Sequence, residues 1–148
     1  MRLLLQRVSH ASVTVRGDPV AEIGPGFLVL VGVGKQDAIR ECDRLAEKVV
    51  NLRVFEDETG RMNRSLAEVG GEILVVPQFT LYGDVRKGRR PSWGGAAPPE
   101  VAEDRVEAFA KALEGQGASV RRGAFREHMQ VELVNDGPVT LWIDVAAP

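Results

Sequence analysis

The sequence predicts an α+β domain, an antiparallel barrel-like sheet with two covering helices. Three observations lead there. Strand-like segments outnumber helical ones and cluster at both ends of the chain. Only two stretches, near 39–50 and 99–114, carry apolar residues at helical spacing. The 148 residues, 44% hydrophobic and 27% charged, suit one soluble globular domain spanning 1–148. A domain of that size buries roughly two thirds of the surface its unfolded chain exposes.

Residues 2–8 form the first predicted strand, and Ser12 to Arg16 alternates polar and apolar as a half-buried strand does. Gly17-Asp18-Pro19 turns the chain, Val20 to Ile23 continues it, and Gly24-Pro25-Gly26 turns it again into the buried strand Phe27 to Val31. Asp37 is positioned to cap a helix whose apolar face is Ile39, Cys42, Leu45, Ala46, Val49 and Val50. Asp57 to Gly60 is a turn and Glu72 to Val76 a second buried strand. The glycine- and proline-rich stretch 83–99 reads as a long loop. Ala102, Val106, Phe109 and Leu113 mark the second helix, ended by Gly115 and Gly117. Val120 to Phe125 and Met129 to Val134 are strand-like. Asn135-Asp136-Gly137-Pro138 turns the chain so that Val139 to Val145 returns.

Several function classes drop out early. With 19 Lys and Arg against 21 Asp and Glu, the net charge of -2 supplies no global field for nucleic acid, so any such surface is local. One cysteine permits no intrachain disulfide and fits a reducing compartment. The longest apolar run, Phe27 to Val33, is too short for a bilayer, and residues 1–7 lack the features of a signal peptide. The expectation is therefore a cytoplasmic protein with no membrane association. His10 and His128 are 118 positions apart and no Cys/His spacing resembles a zinc site, so no metal is expected. Cys42 reads as a buried, inert thiol. Neither Gly24-Pro25-Gly26 nor Gly32-Val33-Gly34-Lys35 has the spacing of a phosphate loop.

Three segments carry candidate chemistry. Gln78-Phe79-Thr80 leaves the buried strand 73–76 and sets an amide and a hydroxyl at the rim of the core, where rigid sheets build sites. The plainer reading is a continuing strand with Thr80 facing solvent. Asn135-Asp136-Gly137-Pro138 has trans as its default, since about 5–6% of X–Pro bonds are cis. The loop around Arg86, Lys87, Arg89 and Arg90 has four cations in five residues, with Tyr82 and Trp93 flanking. Arg121, Arg122 and Arg126 are candidates to extend the patch. Cations beside aromatics suit phosphate contacts and base stacking, and a merely solvated loop is the alternative.

Together these residues resemble the D-aminoacyl-tRNA deacylase family, first described as D-tyrosyl-tRNA deacylases. The resemblance runs through Leu5-Gln6-Arg7-Val8, Met62-Asn63, Gln78-Phe79-Thr80-Leu81, Arg89-Arg90-Pro91-Ser92, Met129-Gln130-Val131 and Asn135-Asp136-Gly137-Pro138-Val139-Thr140, in that order. One position departs from it: Pro77 stands where the family usually has Ser, removing a hydroxyl and a backbone donor. The resemblance implies a homodimer, no cofactor and an aminoacyl-tRNA partner. It implies hydrolysis of the ester joining a D-amino acid, or mischarged glycine, to the terminal adenosine. It also implies a cis Gly137–Pro138 peptide reaching into the partner subunit's active site, with Arg7 bracing it. In the family picture, backbone atoms of that unit crowd the side where an L side chain would lie, so the resemblance implies that handedness is read without a side-chain pocket.

For the chemistry, backbone N–H groups near Phe79 and Thr80 are candidates to stabilise an oxyanion. Thr80 has no identifiable base beside it, and an unactivated hydroxyl is a weak nucleophile. The preferred role for Thr80 is orientation, with the tRNA's own 2′-hydroxyl helping to activate water. Gln78, Phe79 and Thr80 are the catalytic candidates, with Gly137, Pro138, Arg7, Phe125 and Met129 as substrate contacts. Phe79 and Phe125 offer stacking surface for adenine or else pack in the core. Two alternatives remain open: a general esterase with Thr80 as covalent nucleophile, and a noncatalytic tRNA-binding module using the basic loop.

Overall fold

The computed structural model describes residues 1–145. The longest strand, β1 (Arg2–Val15), organises the rest. Its first half pairs antiparallel with β3 (Gly26–Gly32) and its second half with β2 (Asp18–Ile23), while its other edge carries β8 (Met129–Asp144) along nearly its whole length. Beyond β3 the order continues through β6 (Glu72–Pro77) to β7 (Ser119–Arg122), and β2 curls back to meet both, so the sheet nearly closes into a barrel. A small hairpin of β4 (Phe55–Glu56) and β5 (Met62–Arg64) stands apart.

The sheet is mixed, which corrects the antiparallel expectation: β3, β6 and β7 run parallel. The reason is the helix lying between each pair. α1 (Arg40–Asn51) separates β3 from β6 and α3 (Pro99–Gly115) separates β6 from β7. Such a crossover returns the chain in the same direction, whereas a hairpin reverses it. Accordingly β3 and β6 are buried on both faces. Phe27, Val29, Val31, Ile73 and Val75 pack under α1 and α3, while Leu28, Leu74 and Val76 join Val8, Ala11, Val13 and Ile23 inside the curl. Cys42 is buried on α1, as expected.

There are three α-helices among the described residues, not two. The addition is the single turn α2 (Leu66–Val69), closed by a capping box in which Ser65 and Glu68 each accept the other's backbone N–H. α3 begins with Pro99 at its first turn, where the missing N–H costs nothing. Asp37 does not cap α1, which starts at Arg40 without a side-chain cap. Its carboxylate accepts from Gly34 N–H at 2.5 Å and Tyr82 Oη–H at 3.1 Å, and meets the Met1 ammonium at 2.6 Å.

The largest correction concerns residues 129–145. They do not form two strands folded back at Asn135–Pro138; they form one strand with an excursion. Gln6 faces Thr140 and Val8 faces Asn135, so the single residue Arg7 lies opposite 136–139. The long partner strand β1 supplies pairing on both sides of the turn-like residues, so the chain resumes its course after them.

Candidate active site

The parallel strands β3, β6 and β7 end together at Gly32, Pro77 and Arg122. Ligand sites in parallel sheets form outside such carboxyl ends, and here a cleft of about 850 Å³ opens, lined by Gln78, Phe79, Trp93, Phe125 and Met129 among others. Pro77 also lines it. Gln78 N–H donates to the Val31 carbonyl at 2.8 Å, closing the parallel ladder with β3, while Pro77 has no N–H to offer on the other edge of β6.

The chain then enters a 3₁₀ turn, Phe79–Tyr82, in place of a continuing strand. Leu81 N–H donates to Gln78 O at 3.2 Å and Gly83 N–H to Thr80 O at 2.9 Å. The N–H groups of Phe79 and Thr80 open this turn, where helical donors have no partner within the turn itself. The Gln78 amide donates to the Thr80 hydroxyl, so the two polar side chains are coupled. Phe79 is not a core residue: it is 54% exposed and meets Trp93 edge-on, ring centroids 5.2 Å apart.

The far end of the turn is fixed. Besides its bond to Asp37, the Tyr82 ring lies 4.3 Å beneath the Arg2 guanidinium. Burial and the neighbouring Asp37 charge push the Tyr82 hydroxyl well above its usual value. Gly34 leaves room for this ring, since a Cβ there would come within 2.7 Å of the Tyr82 hydroxyl oxygen. Tyr82 is thus a brace and not a flank of the basic loop. Only the tertiary contact with Asp37 reveals that role.

Gly137 and Pro138 lie at the surface in the β8 excursion, and neither lines the cleft. Their peptide is cis, in place of the trans default. Gly137 has φ +139°, and a Cβ there would lie 2.9 Å from the Arg7 guanidinium. Asn135 closes the excursion by accepting Val139 N–H at 2.9 Å and donating to Thr140 Oγ1 at 2.8 Å. Arg7 is 5% exposed, so it is no surface arginine. It donates from Nε to Asp136 O at 2.8 Å and from Nη1 to Val54 O at 2.5 Å. The Val54 carbonyl is a partner of Arg7 without a sequence signal, because any residue type carries that oxygen.

Within one chain the structure gathers Gln78, Phe79, Phe125 and Met129 in the cleft, with Thr80 hydrogen-bonded to Gln78. It leaves Arg7, Gly137 and Pro138 outside the cleft lining. The cations divide as well. Arg86 pairs with Asp84 at 2.6 Å, Arg122 with Glu107 and Glu114, and Arg126 with Glu100. Arg122 and Arg126 therefore do not extend the basic patch, because acidic residues of α3 consume their charge. Lys87, Arg89 and Arg90 remain exposed. Among the described residues no cluster of three or more His, Cys, Asp or Glu side chains is placed to hold a metal ion, and no helix is long and apolar enough to cross a membrane.

A family model described as D-Tyr-tRNA(Tyr) deacylase matches residues 4–144. The chain belongs to that family. It is similar to the D-aminoacyl-tRNA deacylase of Thermomicrobium roseum, 60% identical over 99% of this chain and 95% of that one. It is also similar to that of Symbiobacterium thermophilum, 57% identical over 97% and 95%. Among solved structures it superposes on a c-Myc DNA Unwinding Element Binding Protein, with TM-score 0.93 and 40% identity over 99% of this chain and 100% of that one. A probable eukaryotic D-amino acid tRNA deacylase shares the fold, with TM-score 0.83 and 18% identity over 96% and 97%. Family membership makes the chain an enzyme, a hydrolase acting on the ester bond of aminoacyl-tRNA.

Proposed function

We propose that this protein, acting as a single domain over 1–148, hydrolyses D-aminoacyl-tRNA and glycyl-tRNA and spares L-aminoacyl-tRNA. Its chirality filter is Gly137–Pro138 of one copy inserted into the cleft of another. The observation that carries this reading is a separation within the chain. The cleft with Gln78 and Phe79 lies in one part of the chain and the Gly137–Pro138 unit, braced by Arg7 through Asp136 O, in another, and one chain does not bring them together. A homodimer does. It is supported by β8, which among the described residues pairs only with β1 and leaves its other edge uncovered, with Val134 and Trp142 exposed on the strand.

In this reading the terminal adenosine lies along Phe79 and Phe125, with Met129 completing the wall. Water attacks the ester carbonyl carbon, and the N–H groups of Phe79 and Thr80 receive the developing negative charge on the carbonyl oxygen. The C–O bond to the ribose then breaks, the 3′ oxygen takes a proton, and free amino acid and tRNA leave. Thr80 orients: the side chain that holds it is the Gln78 amide, which is no base, and the vicinal 2′-hydroxyl of the tRNA assists the water. Pro77 offers neither hydroxyl nor N–H, so polar contact at that corner falls to Gln78 and Thr80. Arg7 holds the filter through Asp136 O, and the filter's main-chain atoms occupy the space an L side chain needs. Lys87, Arg89 and Arg90, with Arg86 tied to Asp84, meet the tRNA backbone. A tRNA substrate and a single cysteine, which permits no intrachain disulfide, support a cytoplasmic location.

The test is deacylation of matched D-, L- and glycyl-tRNA by the same preparation. D and glycyl esters are expected to be cleaved and the L ester spared; equal cleavage of D and L overturns the filter. The noncatalytic alternative does not fit membership of a deacylase family, although the chain also resembles a c-Myc DNA Unwinding Element Binding Protein at 40% identity.

A further inference from the structure

The cleft extends past the residues that the proposed reaction uses. At about 850 Å³ it lies toward the upper end of the range for sites that hold one drug-sized ligand. Its remaining wall contains Trp93 and Lys35. Trp93 is 42% exposed although it is firmly held. Its ring sits against Gly83, where a Cβ would come within 2.8 Å of the indole. Its edge-on partner is Phe79, and its carbonyl accepts Ala96 N–H at 3.0 Å. The adjoining backbone is tied to the end of β3, with Lys35 N–H donating to Gly95 O at 3.2 Å and Ala97 N–H to Val33 O at 2.9 Å. Lys35 and Trp93 are therefore carried on one locked unit.

The charges on this wall point to a ligand of one sign. Arg126 is engaged by Glu100, and Glu127 is met by Arg16 at 3.6 Å. Lys35 is exposed and has no ion-pair partner among the described residues. An exposed, immobilised indole next to an uncompensated ammonium suits a base and its phosphate. Single-stranded nucleic acid is held by just such successive aromatic platforms with cations along the backbone.

We propose that Trp93 and Lys35 form a subsite for the nucleotide that precedes the terminal adenosine. Its base stacks on the Trp93 indole and Lys35 takes its phosphate. The subsite rests on the deacylase reading and predicts that a tRNA end is preferred over a minimal ester. Trp93 and Lys35 are positioning residues and touch no reacting atom.

The experiment compares D-aminoacyl-tRNA with D-aminoacyl-adenosine, which lacks the preceding nucleotide, for the wild-type protein and for Trp93→Ala, Trp93→Phe and Lys35→Ala. Loss of stacking raises KM for the tRNA substrate about tenfold or more in Trp93→Ala, and the tRNA-to-adenosine ratio of kcat/KM falls by the same factor. Trp93→Phe restores most of it. Lys35→Ala makes the salt dependence of KM for tRNA shallower by about 0.7 in log–log slope. Equal losses on both substrates would show that Trp93 only props Phe79, and no loss on either would show that it is idle; each result overturns the subsite. Failure of the wild-type protein on both substrates would instead overturn the deacylase reading, so the two failures are distinct.

Discussion

The Arg7 guanidinium holds the main-chain oxygen of Asp136 at 2.8 Å, tying the middle of β1 to the residue that precedes Gly137. A second arm reaches Val54 O at 2.5 Å, so one buried side chain fixes the surface excursion against the body of the fold. The planar fork of donors does what a single ammonium cannot.

Arg7→Ala is expected to destabilise the protein by about 2 kcal/mol or more, because it strips a charged donor from two carbonyls. That corresponds to a Tm lowered by about 4–8 °C for a chain of this size. It is also expected to weaken discrimination between D- and L-aminoacyl-tRNA. Arg7→Lys keeps the charge but not the fork, and should recover stability better than discrimination. Thermal unfolding and paired deacylation rates on the two enantiomers check both; unaltered discrimination in Arg7→Ala would remove Arg7 from the filter.

Gly137→Ala places a methyl group 2.9 Å from the Arg7 guanidinium, at a φ of +139° that L residues rarely adopt. The excursion must shift, and the filter with it. A fall of about tenfold or more in turnover of the D substrate is expected, alongside a modest drop in Tm. Unchanged D rates together with unchanged rejection of L would count against the role given to this residue.

Thr80→Val removes the hydroxyl that Gln78 engages. Turnover should fall while tRNA affinity holds, since no phosphate or base contact is lost. Substrates lacking the 2′-hydroxyl should be cleaved slowly by the unmodified protein as well. If they are cleaved at the normal rate while Thr80→Val is inactive, assistance by the RNA is wrong. An acyl-enzyme trapped on Thr80 would favour the nucleophilic alternative.

Burial pushes the Cys42 thiol up from its ordinary 9.0 to about 11. The raised value favours the protonated thiol in the fold, so the unfolded chain ionises first. This contribution to stability is complete below pH 9 and is lost progressively between pH 9 and 11. Chemical denaturation across that window should show a decline that Cys42→Ala lessens. The folded protein should also resist thiol alkylation at about pH 8 until it unfolds. Rapid alkylation of the native protein would contradict the buried, inert assignment.

Much of this was legible in the residues alone. Helical spacing located both long helices, including the burial of Cys42, Leu45, Ala102, Val106, Phe109 and Leu113, because burial of a helix face follows directly from its period. The order of short motifs points to the family, and Pro77 is the position that departs from it. Sheet direction is the exception: the strand–helix–strand order of 27–76 and 73–122 carries the parallel signal, but the run of hairpins at the start of the chain leads to the antiparallel expectation that β3, β6 and β7 overturn.

Other features depended on partners distant in the chain. Asp37 stands where a capping residue belongs, yet it serves Met1, Gly34 and Tyr82, since burial beside an ammonium outweighs one cap bond. Asn135–Pro138 has the composition of a reversing turn, yet the chain runs straight on. Twelve residues of β1 pair with β8 on either side of it, and such long-range pairing overrides local turn chemistry. Likewise Arg122 and Arg126 count as cations in the sequence, but acids on α3 neutralise them in space. Local periodicity and motif order act over a few residues and survive translation into three dimensions unaided; charge pairing, strand partners and the brace on Arg7 arise only once the chain has closed its long loops.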